Sequence, residues 1–114
     1  MNHGVTTIIY PVKDITKAKG IYIQLLGAEP VMDQPYYVGF KVGDQDIGLD
    51  PNGHSKGLTG PVAYYHVDDI KQSLQALLDV GAQPLQDVQD VGGGKFVTSV
   101  KDADGNIIGL MQMP

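Results

Sequence analysis

The sequence predicts an α+β fold made of two copies of one strand–helix–strand unit, each extended by a hairpin. The main observation is an internal repeat, whose landmarks recur in the same order in both halves of the 114-residue chain. The paired landmarks are Asp14-Ile15 with Asp69-Ile70, residues 27–31 with 81–85, and residues 47–49 with 108–110. Two copies are too few for a solenoid, which needs at least about three repeats. We therefore expect a single domain of two modules, at about residues 1–57 and 58–114, whose open sheet faces pack on each other or on a second chain.

The first module begins with a β-branched stretch at residues 5–12, which predicts a strand. Asp14 is a suitable N-cap for the helix that follows, and Gly27 can take the left-handed conformation that ends it. The apolar residues at helical spacing are Ile15, Ala18, Tyr22, Leu25 and Leu26. An alternating stretch at residues 36–42 predicts the first strand of a hairpin, and residues 45–50 form the second.

The second module repeats this order with clearer signals. Residues 62–67 predict a strand, Asp69 is a good N-cap, Gln72 completes a capping box, and Gly81 ends the helix. The apolar stripe of this helix comprises Ile70, Leu74, Leu77 and Leu78. Three further strands are predicted at residues 88–91, 96–100 and 106–113.

Composition excludes several classes of function. The chain has no cysteine, so neither a disulfide framework nor a thiolate metal site can form. A net charge of −5 with scattered basic residues argues against nucleic acid as a partner. No apolar run reaches the ~18 residues of a membrane helix, so no membrane partner is expected. The first residues lack the basic and apolar regions of a signal peptide, and a soluble, cytoplasmic protein is the default expectation.

Three short motifs, in this order and combined with the duplication, resemble the vicinal-oxygen-chelate superfamily of glyoxalases, bleomycin-resistance proteins and dioxygenases. They are Tyr22-x-x-x-Leu26-Gly27, Val67-Asp68-Asp69-Ile70 and Asp102-x-Asp104-Gly105-Asn106-Ile107-Ile108. The resemblance implies tandem βαβββ modules that form a curled mixed sheet, with the helices on its outer face and a cup on the other. It also implies a homodimer, as in bleomycin-resistance proteins.

Most enzymes of this superfamily hold a divalent metal ion with a His on the first strand and a Glu on the last strand of each module. Here the first-strand positions correspond to Thr7 and Val62, and the last-strand positions correspond to Gly48 and Gly109. Valine and glycine have no donor side chain, and threonine is a weak ligand. We therefore expect no metal site and no cofactor.

Side chains alternate across a strand, so the residues that share a face with these positions are predicted to line the cup. The predicted ligand-binding residues are Thr7, Ile9, Tyr37, Asp50, Val62, Tyr64, His66 and Met111. Apolar walls with a few polar groups are typical of small-molecule sites. The sequence thus predicts metal-independent binding of a small organic molecule, aromatic or antibiotic-like, and it favours a non-catalytic binding protein over an enzyme.

Two other functions stay open at this point. An enzyme, a lyase, isomerase or dioxygenase, would use His66 as an acid–base residue or a relocated metal site built from Asp50 and His66, with His3 as a further candidate ligand. A structural or regulatory protein would fill the cleft with its own side chains, for example Met111 and the tyrosines. Alternatively, His66 has only a structural role, as a histidine at the end of a strand that is hydrogen-bonded to the backbone. Asp50 begins a turn-forming Asp-Pro-Asn-Gly segment in which it would cap its own backbone.

Overall fold

The computed structural model describes residues 2–114, and the described part of the chain forms eight strands and two α-helices. In chain order these are β1 (Asn2–Pro11), α1 (Ile15–Leu26), β2 (Met32–Gln34), β3 (Tyr37–Val42), β4 (Gln45–Asp50), β5 (Val62–Val67), α2 (Ile70–Asp79), β6 (Gln83–Asp90), β7 (Phe96–Lys101) and β8 (Ile107–Gln112). They divide into a first unit, Thr6–Val62, and a second unit made of residues 2–5 and Ala63–Pro114. The predicted α+β fold of two βαβββ modules is confirmed.

The two units have the same topology. In the first unit the strand order is β2-β3-β4-β1, with β1 parallel to β4 and the other pairs antiparallel. In the second unit the order is β5-β8-β7-β6, with β5 parallel to β8 and the other pairs antiparallel. Each strand therefore has a counterpart, and the internal repeat of the sequence is a repeat of a mixed four-stranded sheet.

One helix covers one face of the sheet in each unit. In the first unit the side chains of Val38, Phe40, Ile47 and Leu49 are buried, and α1 packs on them. In the second unit α2 contributes the buried Ile70, together with Leu74 and Leu77, to a cluster that contains Val67, Leu110 and Phe96. Because strand residues alternate, the predicted site residues of each unit lie on the face opposite its helix.

Both N-caps and the C-cap of α1 form as predicted, whereas the C-cap of α2 is Val80, one residue before the predicted Gly81. Asp14 accepts a hydrogen bond from the backbone N–H of Lys17, and Asp69 accepts one from that of Gln72. Gly27, with φ 64°, ends α1 in the left-handed conformation. The prediction for Leu25 was wrong, because 70% of this residue is exposed and Ile23 joins the core instead.

The strands differ from the prediction mainly at the outer edge of each unit. The three-residue β2 was not predicted at all. β6 runs over eight residues, Gln83–Asp90, where the sequence indicated only residues 88–91, and its pairing with β7 contains two register shifts. Neither described helix is long and apolar enough to cross a membrane.

Candidate functional site

β1 and β4 bring three predicted site residues to one face of the first unit. Ile8 and Tyr10 pack toward α1, so Thr7 and Ile9 project from the opposite face of β1. Thr7 is 3% exposed, and Ile9 is half-buried. Ile9 pairs with Gly48 in the parallel ladder, and both lie beside the carboxyl end of β4, where Asp50 stands.

Tyr37 covers Gly48. If Gly48 carried a Cβ atom, that atom would collide with the Tyr37 hydroxyl and lie only 2.6 Å from the ring carbon Cζ. Carbon atoms in contact normally lie about 3.5–4.0 Å apart. The side chain of Tyr37 thus occupies the space that any residue larger than glycine at this position would use, including a glutamate.

Asp50 is held by its own loop. It is 7% exposed, its Oδ1 accepts a hydrogen bond from the backbone N–H of Asn52 at 2.8 Å, and its Oδ2 pairs with Lys56 Nζ at 2.9 Å. The turn-forming arrangement that the sequence offered as an alternative for this residue is therefore present. Both carboxylate oxygens are engaged, which leaves Asp50 little capacity to bind a cation.

In the second unit β5 and β8 bring Tyr64, His66 and Met111 to one face. Tyr64 pairs with Gly109 and His66 pairs with Met111 in the parallel ladder. Tyr64 is 6% exposed, Met111 is 2% exposed, and His66 is half-buried. Val62, at the start of β5, is 1% exposed. The structure thus places Tyr64, His66 and Met111 as buried or half-buried groups on the face of β5 and β8 that lies opposite α2, while Val62 is the last residue of the first unit.

The ring of Tyr64 covers Gly109. A Cβ atom on Gly109 would lie 2.5–2.7 Å from the ring atoms Cδ1, Cε1 and Cγ. Both last-strand glycines at which relatives were expected to carry a glutamate are therefore covered by a tyrosine of the same unit. Sequence reasoning identified Gly48, Gly109 and both tyrosines, but it did not predict these contacts.

Ser99 is a further residue of this face that sequence reasoning missed. It pairs with Gly109 across β7 and β8, it is fully buried, and its Oγ has no hydrogen-bond partner among the described residues. Its neighbour Thr98 faces the other side and donates a hydrogen bond from Oγ1 to the backbone oxygen of Gln86 at 2.7 Å. The sequence contains no signal that separates these two adjacent hydroxyl residues.

His3 and Asp68 form an exposed side-chain hydrogen bond in the second unit. His3 Nε2 lies 2.7 Å from Asp68 Oδ1, and the side chains are 54% and 60% exposed. The hydrogen bond with His3 holds the pKa of Asp68 below its ordinary value. This pairing engages His3, the additional candidate ligand of a relocated metal site built from Asp50 and His66.

The residues do not fit a divalent metal ion. Tyrosine side chains fill the space next to both glycines, and Val62 offers no donor atom. Within residues 2–114, no three His, Asp or Glu side chains are grouped so that they could hold an ion. Thr7, Gly48, Val62 and Gly109 therefore do not supply the His and Glu donors that the resemblance implies for metal-dependent members.

A surface depression lies on the helix side of the first unit. It has a cavity volume of about 310 Å³ between the first turns of α1 and the β2–β3 turn, and Lys19 and Asp33 form an ion pair across it at 2.9 Å. None of the predicted ligand-binding residues lines it. It is therefore separate from the face on which the candidate site residues lie.

The family of the chain follows from these features and from comparison with known proteins. The family model of the Glyoxalase/Bleomycin resistance protein/Dioxygenase superfamily matches residues 4–110, so the chain belongs to this superfamily. No curated protein matches the chain significantly.

Solved structures with the same fold include a superfamily member from Vibrio splendidus 12B01, with 16% identity, a TM-score of 0.72 and coverage of 99% of this chain and 100% of that chain. Methylmalonyl-CoA epimerase from Mycobacterium tuberculosis is 16% identical, with a TM-score of 0.76 over 99% of this chain and 89% of the other. The Mn(II)-bound glyoxalase from Novosphingobium aromaticivorans is 18% identical, with a TM-score of 0.70 over 98% of this chain and 40% of that one. At these identities the likeness shows the fold alone.

Proposed function

We propose that this chain binds a small organic molecule without a metal ion, through the sheet face opposite the helix. The observation that supports the metal-free part of this proposal is the pair of covered glycines, Gly48 beneath Tyr37 and Gly109 beneath Tyr64, because each tyrosine occupies the space that a glutamate ligand would need. Tyrosine combines a flat apolar ring with a polar tip, which suits contacts with flat aromatic molecules. The other predicted contacts, namely Thr7, Ile9, Asp50, Val62, His66 and Met111, supply the mixture of apolar area and few polar groups that such sites use.

Thermal unfolding against a panel of aromatic metabolites and antibiotics tests the proposal. A ligand that binds the native state raises the melting temperature, by an amount that grows with its concentration relative to Kd. We expect stabilisation by at least one flat aromatic compound, unchanged after exhaustive chelation of divalent ions. Stabilisation that depends on added Mn²⁺, Zn²⁺ or Ni²⁺ would contradict the metal-free proposal. If no compound of the panel raises the melting temperature, a structural or regulatory role is favoured.

A metal-free enzyme is the second candidate, because His66 is half-buried on the same face as Tyr64. An unperturbed histidine titrates near neutrality and can transfer protons. Epimerisation of methylmalonyl-CoA and a glyoxalase reaction are the assays that the fold relatives suggest. We expect turnover, if present, to be lost in His66→Gln and to show a neutral-pH inflection in the unmodified chain. Ligand binding without turnover in either assay would favour the binding protein.

A homodimer in the cytoplasm completes the proposal. Ile21 and Leu25 on α1 are 65% and 70% exposed, whereas the exposed positions of α2 include the polar Lys71 and Gln75. Exposed large aliphatic residues on one helix suit a protein–protein contact. Light scattering of the purified chain should give a dimer that Ile21→Lys dissociates and the control Gln75→Lys does not. Cell fractionation tests the location.

A further inference from the structure

We propose that the space above Gly109 is a binding site for a flat aromatic ring, that the hydroxyl of Ser99 is its polar anchor, and that the Tyr64 ring fills this space until a ligand displaces it. This inference rests on the proposed function and names the ligand class for one face of the second unit. It adds Ser99, which the sequence did not single out, and it assigns Tyr64 a role beyond lining the site.

The geometry begins with a row of three residues across three neighbouring strands. Ser99 of β7 pairs with Gly109 of β8, and Gly109 pairs with Tyr64 of β5. Paired residues project to the same face of a sheet. The Tyr64 ring lies where a Cβ of Gly109 would be, so the Ser99 side chain points to the side on which that ring lies.

The row has an equivalent in the first unit that shows what is particular to the second. There Gly39 pairs with Gly48, and Gly48 pairs with Ile9. The repeat therefore places Ser99 where the first unit has a glycine, and an aromatic ring where the first unit has isoleucine. In this row the second unit has Tyr64 and Ser99 at the positions that Ile9 and Gly39 occupy in the first unit.

The Ser99 hydroxyl is the second, independent observation. Buried polar groups are nearly always hydrogen-bonded, and those that are not call for an explanation. Ser99 is 0% exposed, and its Oγ has no partner in the described part of the chain. A ring that replaces the Tyr64 ring and carries a hydroxyl or carbonyl on the edge facing β7 would give Ser99 Oγ the partner it lacks.

The glycine determines the shape of the ligand. Any side chain at position 109 would reach within 2.5–2.7 Å of the ring now present, so a ring can lie this close to the strand only above glycine. The Tyr64 ring shows that a flat six-membered ring fits this space. The ligand class is therefore a planar aromatic or heteroaromatic ring with one hydrogen-bonding substituent at its edge.

The main test uses 3-methylphenol as the probe and toluene as its match without the hydroxyl. The protein is labelled with ¹³C in its tyrosine rings, and the Tyr64 signal is assigned by its loss in Tyr64→Phe. We expect 3-methylphenol to shift the Tyr64 ring signal and to leave that of Tyr37 unchanged. The substitution Ser99→Ala removes only the hydroxyl. The affinity of 3-methylphenol for this variant should be about 3- to 10-fold lower, and so closer to the affinity of toluene, as expected for the loss of one neutral hydrogen bond.

A second arm removes the ring that competes with the probe. Tyr64→Ala should bind 3-methylphenol more tightly than the unmodified chain, and Tyr64→Ala/Ser99→Ala should lose the preference over toluene. If Tyr64→Ala does not fold, the affinities of the unmodified chain and of Ser99→Ala for 3-methylphenol still test the inference. The inference is overturned if 3-methylphenol binds without shifting the Tyr64 signal, or if Ser99→Ala prefers 3-methylphenol over toluene as strongly as the unmodified chain does. It is also overturned if 3-methylphenol binds neither the unmodified chain nor Tyr64→Ala.

The two proposals fail in different ways. A panel compound that stabilises the chain without moving Tyr64 upholds the proposed function and refutes the ring site. Displacement of Tyr64 by 3-methylphenol supports both proposals, because 3-methylphenol is then a small organic molecule bound on this face without a metal ion, whereas no displacement together with no stabilising compound in the panel refutes both.

Discussion

Replacing Gly109 with alanine should destabilise the chain through one contact. The new Cβ would lie 2.5–2.7 Å from Cγ, Cδ1 and Cε1 of Tyr64, about 1 Å inside normal carbon contact. Cγ is the root of the ring, so rotation of the ring about its own axis does not relieve the collision. Tyr64 is 6% exposed, and its side chain must leave its packing or push the strand. Overpacking of this kind costs about 1–3 kcal/mol, and we expect the upper part of that range, out of a total stability of about 5–15 kcal/mol.

The assay is urea unfolding of a double-mutant cycle. Tyr64→Ala alone should cost about 3–5 kcal/mol, as large-to-small core changes do. In that background Gly109→Ala should cost almost nothing, so the two changes should couple by about 2–3 kcal/mol. Gly48→Ala is the matched control. The added Cβ meets only the outer end of the half-buried Tyr37 side chain, which can rotate away. We therefore expect a loss of about 1 kcal/mol in unfolding free energy. The reasoning is refuted if Gly109→Ala leaves the unfolding free energy unchanged. It is also refuted if the effects of Gly109→Ala and Tyr64→Ala on the unfolding free energy simply add in the double mutant.

Four further results are expected. Ser99→Ala should raise the unfolding free energy by about 1 kcal/mol because it removes a buried hydroxyl without a partner, as denaturant titration can show. Thr98→Val should lower it by about 1 kcal/mol, because the Gln86 carbonyl loses its donor. The hydrogen bond from the Asn106 side chain lowers the pKa of Asp102, so the native state favours the carboxylate. Stability should therefore fall as the pH drops from the ordinary 3.8 toward the lower native pKa, and Asp102→Asn should flatten that slope. Added Mn²⁺ or Zn²⁺ should leave the melting temperature unchanged, since stabilisation would require a native site for the ion.

Local signals explain why most of the fold was predictable. Asp14 and Asp69 cap their helices through contacts only three residues away, and turns at short range define the hairpins. β6 was predicted too short because its sequence contains Pro84 and several polar residues, and its strand conformation depends on pairing with β7. Leu25 and Ile23 flank the apolar stripe of α1 on opposite sides. Helical spacing alone does not determine which flank turns toward the sheet.

The candidate site was predictable only in part. Alternation along the strands correctly grouped Thr7 with Ile9 and Tyr64 with His66, because it depends on the strand alone. The contact between Tyr64 and Gly109 depends on which strands lie side by side, and these two residues are far apart in the sequence. The unpartnered state of Ser99 is likewise a property of the assembled sheet. Whether the predicted residues bind a ligand stays a prediction.

The outermost strands of the two units limit how this protein can associate with others. β2 has three residues and is followed by Pro35, while β6 contains Pro84 and two interruptions of its register. A proline cannot donate a backbone hydrogen bond, and a bulge twists the strand away from regular pairing. Neither edge offers a long, regular row of backbone groups on which a foreign strand could grow into a fibril. A partner at these edges must recognise the protein by its side chains.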